Sequence, residues 1–352
     1  GAALSFPSAW VLTLATRAEP RSLVGAGYEE ARLLPARRDI ARLVADSATP
    51  RPLRERLALV QAARAYARDS LRLGVGSTYT TYVDVGRDTL LLVLSAARRD
   101  KLREYTWSYP IVGVVPYKGF FDPKAARRAA DDLAARGYDV HLRPSGAFST
   151  LGYFSDPLLS TVVERDTMEL VATVLHELAH NTLYVRSHTA FNESFASFVG
   201  YRGAEAFFRS RGDSLDAARA VARWRDERTL DVFYAELARR LDSAYAQPLD
   251  TGALADARAV LFGWARDQLT GPVGQSLETY DWRWFANAPL NNAVVIAQRL
   301  YRQGLNQFEE AYLRHDADLV GTLHAIQVRV LTEPGRDPYE ALYSFGGVGA
   351  TP

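Results

Sequence analysis

The sequence predicts an α+β protein that is predominantly helical, with a small β-sheet and a C-terminal helical lobe. Short segments rich in aromatic, β-branched and apolar residues lie between residues 79 and 154, and apolar residues recur at helical spacing from Asp166 onward. Strands that precede a run of helices are typical of the α+β class. We therefore predict that N-terminal helices and the sheet occupy residues 1–210 and that a helical lobe, residues 211–352, packs on them.

The first predicted elements are a helix and a β-hairpin. Apolar residues in Pro52–Leu73 recur at three- and four-residue intervals, as on the buried side of an amphipathic helix. Tyr79–Val85 and Thr89–Leu94 are mostly aromatic, β-branched or apolar, and Gly86-Arg87-Asp88 separates them. Two such segments around a short glycine-containing turn predict a β-hairpin.

The next elements are strands around one helix. Ile111–Val115 predicts a strand, and Asp122–Arg136 predicts a helix in which Pro123 takes the early position where proline is tolerated. Asp139–Leu142 and Gly146–Phe154 predict two further short strands. The rest of the chain predicts six helices, at residues 167–184, 190–208, 214–244, 252–268, 290–312 and 316–329.

The composition limits the chemistry and the partners. The chain is 48% hydrophobic with a net charge of +1, so it predicts a globular protein and gives no reason to expect nucleic acid as a partner. It has no cysteine, so a bound metal must use nitrogen and oxygen ligands. Its longest apolar run, near Leu90–Leu94, is far shorter than the roughly 20 residues that span a bilayer.

One motif carries the chemistry of a zinc site. His176-Glu177-Leu178-Ala179-His180 has two histidines four residues apart, and in a helix such residues project from the same face. Both imidazoles can then bind one zinc ion, while Glu177 lies beside it as the general base. The helical context is favourable because Asp166 and Glu169 have the spacing of a capping box at the start of this helix.

A catalytic zinc usually has three protein ligands and keeps its fourth position open for water. A third protein ligand is therefore expected beside the two histidines. His188 lies too far along the chain for a metzincin arrangement and lacks the glycine turn. Glu193 lies on a predicted second helix whose phenylalanines, Phe191, Phe195 and Phe198, form a buried stripe and leave the carboxylate on another face. We therefore predict that the two motif histidines and Glu193 hold one Zn²⁺ per chain.

Residues around the ligands are predicted to support the site. Glu169 lies seven residues before the first ligand histidine on the same helical face, and Ser197 lies one turn after the ligand glutamate, so both are candidate second-shell partners. Asn291 and Asn292 are candidates for substrate binding. The alternative for this asparagine pair is a helix N-cap, and both interpretations stay open.

The predicted strand at residues 146–154 is the expected edge of the substrate cleft, because an extended substrate can pair with an exposed strand beside the metal. The residues expected closest to substrate are Ser149, Thr150, Leu151, Gly152 and Tyr153. These five residues include no carboxylate that could bind the amino group of a substrate. The carboxylate would have to come from another part of the chain, and Glu164, Asp166 and Glu169 are the nearest in sequence.

Several motifs in the same order resemble known families. His176–His180 followed by Asn192–Ala196 resembles the alanyl aminopeptidases, and the wider chain is similar to a bacterial family of predicted aminopeptidases, many of them envelope lipoproteins. The further matching motifs are Val115–Phe121, Ser149–Phe154, Asp156–Ser160 and Leu290–Ala293. The resemblance implies a glutamate-zincin metallopeptidase fold. Two departures are a spacing of only twelve residues between His180 and Glu193, and a stretch at Gly146–Thr150 without the carboxylate that grips the amino group.

Peptide-bond hydrolysis by a zinc aminopeptidase is therefore the predicted function. The alternatives are a zinc endopeptidase or non-peptide amidase, and a non-enzymatic binding protein with a vestigial zinc site. The expected partner is a peptide or a small amide. The resemblance also implies a periplasmic or cell-envelope location, with an export signal and a lipid-anchored cysteine upstream of Gly1.

Overall fold

The computed structural model describes residues 36–86, 91–109, 113–145 and 157–343. They form two compact units, each assembled from segments that are distant in sequence. The described residues of the first unit come from 1–57, 77–165 and 232–299, and those of the second from 58–76, 166–231 and 300–352. Residues 210 and 211, where the sequence predicts a boundary, both lie in the second unit. The predicted class is confirmed: the protein is predominantly helical with small β-sheets.

The strands of the described residues are short except for two. They are β1 (Arg38–Asp39), β2 (Thr81–Val83), β3 (Leu91–Arg98), β4 (Trp107–Tyr109), β5 (Gly113–Val115), β6 (Tyr117–Phe120), β7 (Tyr138–Ser145) and β8 (Leu158–Leu159). They form three sheets, with the orders β1-β2-β8, β6-β3-β7 and β4-β5.

The helices carry most of the described chain. They are α1 (Ile40–Ala45), α2 (Arg51–Asp69), α3 (Pro123–Ala135), α4 (Ser160–Val163), α5 (Thr167–Thr182), α6 (Thr189–Ser210), α7 (Ser214–Tyr245), α8 (Thr251–Thr270), α9 (Pro272–Gln275), α10 (Asn292–Tyr301), α11 (Leu305–Arg314), α12 (Leu319–Thr332) and α13 (Glu340–Tyr343), with a 3₁₀ helix at Trp282–Ala286. No described helix is both long and apolar enough to cross a membrane.

The central sheet of the first unit is antiparallel, with β3 between β6 and β7. Helix α3 covers one face, where Leu94 of β3 packs with Leu133 of α3 and Leu142 of β7. This helix starts as predicted, because Asp122 caps it and accepts from the backbone N–H of Lys124. Since side chains alternate along a strand, the odd-numbered residues of β7 face away from α3.

The predicted hairpin of residues 79–85 and 89–94 is wrong. Strand β2 pairs antiparallel with β1 and parallel with β8, whereas β3 belongs to a different sheet. Long-range contacts outweigh the local turn: Tyr82 and Val83 are in register with the buried Leu158 and Leu159, and Ser160 Oγ accepts from the Val85 N–H at 3.1 Å.

The single helix predicted at residues 290–312 is also wrong, because it is two helices, α10 and α11. Gly304 separates them with φ at +69°, a conformation that glycine adopts without strain. The first N–H of α11, at Leu305, donates to the Asp231 carboxylate at 2.7 Å, so a side chain from α7 fixes the new start. The other predicted helices of the second half are confirmed to within a few residues.

Candidate metal centre

Helix α5 places the two motif histidines in a buried position. Asp166 caps the helix, with its carboxylate accepting from the Glu169 N–H at 3.1 Å. Every residue from Met168 to His180 is buried, so the helix is fixed on all sides. The four-residue spacing then directs both imidazoles to the same side of a rigid helix.

A short connection returns the chain to these histidines. Six residues, 183–188, join α5 to α6. The buried side chain of Asn192 closes the connection: its Oδ1 accepts from the Val185 N–H and its Nδ2 donates to the Val185 carbonyl, both at 2.8 Å. Ser187 has φ at +66°, a turn conformation that reverses the chain. Glu193 follows Asn192 directly, so this closure places the first turn of α6 beside α5.

Two glycines let α6 approach α5 closely. A Cβ atom on Gly200 would lie 2.8 Å from the Ala172 carbonyl oxygen and 3.3 Å from the His176 Cβ. A Cβ atom on Gly203 would lie 2.9 Å from a methyl carbon of Leu175. The Ala172 oxygen belongs to the backbone and cannot move aside, so glycine at position 200 sets the helix separation next to the first histidine, whereas the end of the Leu175 side chain could shift to admit a Cβ at position 203.

The opposite side of α6 is anchored by aromatic packing. The predicted phenylalanine stripe is confirmed as buried, and Phe191, Phe195 and Phe198 all contact Phe308 of α11. Ser194 accepts from the Gln303 N–H at 3.2 Å. These contacts fix the face of α6 that points away from α5. The Glu193 side chain therefore has little freedom to move away from α5.

The three side chains converge on one point. His176 Nε2 and His180 Nε2 lie 3.2 Å apart, and Glu193 Oε2 lies 3.4 Å from the first and 3.9 Å from the second. Ligands at about 2.0–2.2 Å from a tetrahedral metal ion are roughly 3.3–3.6 Å from one another. The three atoms therefore have the spacing of one face of a tetrahedral site, and the cluster could hold a metal ion.

The electrostatics of the cluster also favour a cation. All three side chains are buried. Burial, and then the neighbouring His176, lower the pKa of His180 well below its usual value, so its imidazole is neutral near pH 7. A neutral imidazole is the form that binds metal, and a buried carboxylate beside two imidazoles supplies a negative charge for the ion.

The other predicted residues of α5 and α6 lie near this cluster along the helices. Glu177 lies between the two histidines in the sequence, and its side chain is buried. Glu169 forms a buried ion pair with Arg223 at 2.9 Å. Seven helical residues correspond to about 10 Å, so Glu169 can act on His176 only through intervening groups. Ser197 Oγ is buried and has no hydrogen-bond partner within the described part of the chain.

The carboxylates predicted to hold a substrate amino group have other contacts. Asp166 caps α5 and lies 3.3 Å from Arg219, and Glu169 pairs with Arg223. Glu164 ends α4 in the first unit. Two of the three carboxylates are therefore already neutralised by arginine.

Asn291 and Asn292 have structural partners in the first unit. Asn291 Oδ1 accepts from the Val294 N–H at 3.0 Å, which is the N-cap contact, and its Nδ2 donates to the Val140 carbonyl. Asn292 is fully buried and donates to the Arg98 carbonyl at 2.8 Å. Both amides therefore attach the start of α10 to the central sheet. For Asn291, the structure agrees with the N-cap alternative.

The predicted substrate strand, residues 146–154, lies outside the described residues. It includes the five residues expected closest to substrate, which are Ser149, Thr150, Leu151, Gly152 and Tyr153. Their role in substrate binding stays a prediction.

Two residues near the cluster were not predicted from the sequence. One is Asn192, whose place directly before Glu193 was the available signal. The other is Tyr184, half exposed in the connection, whose pKa is raised by burial and then by the negative charge of Glu193. Tyr184 is the second residue after the end of α5, so it lies at the start of the turn that leads to Glu193.

Comparison with known proteins gives one match. The model of the family described as "Putative aminopeptidase" matches residues 23–334, which is most of the chain and includes both helices of the cluster. Neither a curated protein nor a solved structure matches the chain.

Proposed function

The chain belongs to the family described as "Putative aminopeptidase", and we propose that it is a zinc-dependent peptidase of the glutamate-zincin type with one Zn²⁺ per chain. The observation that carries this proposal is the convergence of His176 Nε2, His180 Nε2 and Glu193 Oε2 to within 3.2–3.9 Å of one another. Two histidines and one carboxylate are a ligand set that catalytic zinc uses, and the chain has no cysteine that could replace them.

When bound, a zinc ion would lower the pKa of a water molecule and polarise the scissile carbonyl. Glu177 is the base in this proposal, because it lies between the ligand positions on the same buried helix. It accepts one proton from the attacking water as the new C–O bond forms. It then gives this proton to the nitrogen as the C–N bond breaks, so that the products are a carboxylic acid and an amine.

The family description supports removal of an N-terminal residue, which requires recognition of a free amino group. One observation favours the alternative of an endopeptidase or amidase: the carboxylates of Asp166 and Glu169 are paired with Arg219 and Arg223. Comparing one peptide with a free and an acetylated N-terminus distinguishes the two. An aminopeptidase cleaves only the free form, whereas equal rates would assign an endopeptidase or amidase.

The zinc mechanism is tested by measuring metal content and peptide turnover on the same preparations. Wild type is expected to hold one zinc per chain. Glu177→Gln should retain the zinc and lose turnover by several orders of magnitude, since it keeps the shape of the side chain but cannot accept the proton. His180→Ala should lose both zinc and turnover. Glu55→Gln, at an exposed helical residue, is the matched control and should change neither.

Two results would contradict the proposal. Wild-type protein without a stoichiometric transition metal would exclude the metal site, and full turnover of Glu177→Gln would exclude the base. Zinc binding without hydrolysis of any peptide or amide would instead support a non-enzymatic binding protein. A cell-envelope location, which the resemblance implies, is a separate proposal that fractionation of the native host would test.

A further inference from the structure

Tyr184 lies in the six-residue connection between the two helices that carry the candidate metal ligands. The backbone is fixed on both sides of it. Before it, the Leu183 N–H donates to the Ala179 carbonyl at 3.0 Å. After it, both backbone groups of Val185 are bonded to the Asn192 side chain at 2.8 Å. Tyr184 is therefore held in a defined backbone position where the two helices join.

The side chain of Tyr184 points to the surface beside a buried cluster. Leu183 has an extended conformation, with φ at −143° and ψ at 120°. Successive side chains of an extended segment point in opposite directions, so Leu183 is buried while Tyr184 is half exposed. All three candidate ligands are buried, and a substrate must approach them from the surface. Tyr184 thus offers a polar aromatic side chain to a molecule that approaches along the connection.

The charges that act on the phenol indicate that it lies near the cluster. Burial raises the pKa of Tyr184 first, the negative charge of Glu193 raises it further, and the Arg186 cation lowers it. A charge acts on a partly exposed group only over a short distance, because water and salt screen it. The O–H of Tyr184 has no hydrogen-bond partner among the residues that the structure describes, so it can donate to a bound molecule.

Peptide hydrolysis needs a hydrogen-bond donor at the carbonyl oxygen of the scissile bond. This oxygen gains negative charge when water adds to the carbonyl carbon, and a donor aimed at it lowers the barrier. Asn291 and Asn292, the asparagines predicted to bind substrate, already use their amide groups to attach α10 to the central sheet. Tyr184, in contrast, combines an available O–H with a fixed position next to the segment that leads to Glu193.

We propose that Tyr184 is a catalytic residue whose phenol O–H donates a hydrogen bond to the carbonyl oxygen of the scissile bond. The proton stays on the phenol throughout, because Tyr184 only stabilises the developing charge. Glu177 transfers the proton from the attacking water to the leaving nitrogen, as in the proposed function. This role rests on that proposed function, and it adds a residue that the zinc motif does not contain.

Tyr184→Phe tests the role of the O–H, because it keeps the ring and removes only the hydroxyl. Zinc content should stay at one per chain, since Tyr184 is not a ligand in this proposal. We expect kcat to fall by about 10²–10³-fold, as for loss of an oxyanion donor, with KM within about threefold of wild type. Tyr343→Phe makes the same change at an exposed tyrosine of α13, also in the second unit, and should alter neither.

Ligand binding to the zinc-loaded protein provides a measurement that does not need turnover. The probe is a phosphinic peptide, in which an anionic tetrahedral phosphinate replaces the scissile amide, and isothermal titration calorimetry gives its Kd. Tyr184→Phe should bind this probe at least about tenfold more weakly than wild type, because it loses a hydrogen bond to a charged oxygen. Leucinethiol can bind zinc through its sulfur and has no such oxygen, so it should bind both proteins equally.

Two results would overturn the role of Tyr184 and leave peptide hydrolysis intact. The first is an active wild type together with full kcat, or undiminished phosphinate binding, in Tyr184→Phe. The second is equal weakening of phosphinate and leucinethiol binding by Tyr184→Phe, which would indicate a damaged metal centre and not the loss of one hydrogen bond. A zinc-loaded wild type that hydrolyses no peptide would instead refute the proposed function, and this role with it.

Discussion

Asn192 binds both backbone groups of Val185, accepting from its N–H and donating to its carbonyl at 2.8 Å each. The amide side chain thus satisfies both backbone groups of a residue seven positions earlier, as a neighbouring strand would. Because Glu193 is the next residue, the contact that closes the connection between α5 and α6 also sets the position of Glu193 beside His176 and His180.

Asn192→Asp should therefore destabilise the protein and weaken the metal binding that we propose. The carboxylate still accepts from the Val185 N–H, but its second oxygen faces the Val185 carbonyl, which loses its donor. We expect the free energy of unfolding to fall by about 1–3 kcal/mol and metal affinity to fall by about tenfold or more. Urea unfolding and competition with a chelator measure the two. Asn287→Asp, at an exposed asparagine, is the control, and equal behaviour of the two variants would contradict this role.

Gly200→Ala should push α6 away from α5. The new Cβ would lie 2.8 Å from a backbone oxygen of α5, which cannot move aside as a flexible side chain can. We expect a loss of about 1–3 kcal/mol in the free energy of unfolding from overpacking, together with weaker metal binding. Gly263→Ala is the matched control: Gly263 is exposed in α8 with no atom within 4 Å of the new Cβ, so helix propensity should raise stability by roughly 0.5–1 kcal/mol.

Arg302 and Glu227 form a fully buried ion pair at 2.6 Å. Arg302→Met leaves the Glu227 charge in the protein interior with only the longer contact to Arg223, at 3.6 Å. The free energy of unfolding should therefore fall by up to about 3–5 kcal/mol. Arg51→Met breaks an ion pair of the same type, Arg51–Glu55, whose side chains are 81% and 62% exposed, and should have no measurable effect. Similar losses in both variants would contradict the importance of burial.

His141 should make the protein less stable in mild acid. Its pKa is lowered from 6.5 to about 4 by burial and by Arg143, so the unfolded chain takes up a proton at higher pH than the folded protein does. The stability from the neutral ring is therefore present above about pH 6.5 and is lost as the pH falls toward 4. Between pH 7 and pH 5 this histidine should account for about 2 kcal/mol of the loss. His141→Phe should reduce the pH dependence by that amount, and an unchanged pH profile would exclude it.

The sequence alone determined the elements that rest on local rules. Helix α5 was predicted with its Asp166 cap, because a cap and an apolar repeat act within one or two turns. Helix α3, with Pro123 in its first turn, was predicted for the same reason. The pairing of His176 with His180 on one helical face follows from helix geometry, which needs no knowledge of the rest of the fold.

Only the tertiary structure decided features that depend on distant residues. Strand β2 pairs with β8, more than 70 residues away, and not with its neighbour, because buried long-range partners outweigh a permissive turn. The start of α11 depends on Asp231, 74 positions earlier. Such contacts gain their free energy from burial and from hydrogen bonds that close in the folded state, and no short stretch of sequence contains both partners.

The candidate metal centre depends on both local and long-range information. Its residue types and the spacing of its histidines can be read from a short stretch of sequence, so the sequence could predict His176, His180 and Glu193. Their separation of 3.2–3.9 Å depends on the fit between two helices, through a glycine at 200 and an asparagine at 192 that no metal motif requires.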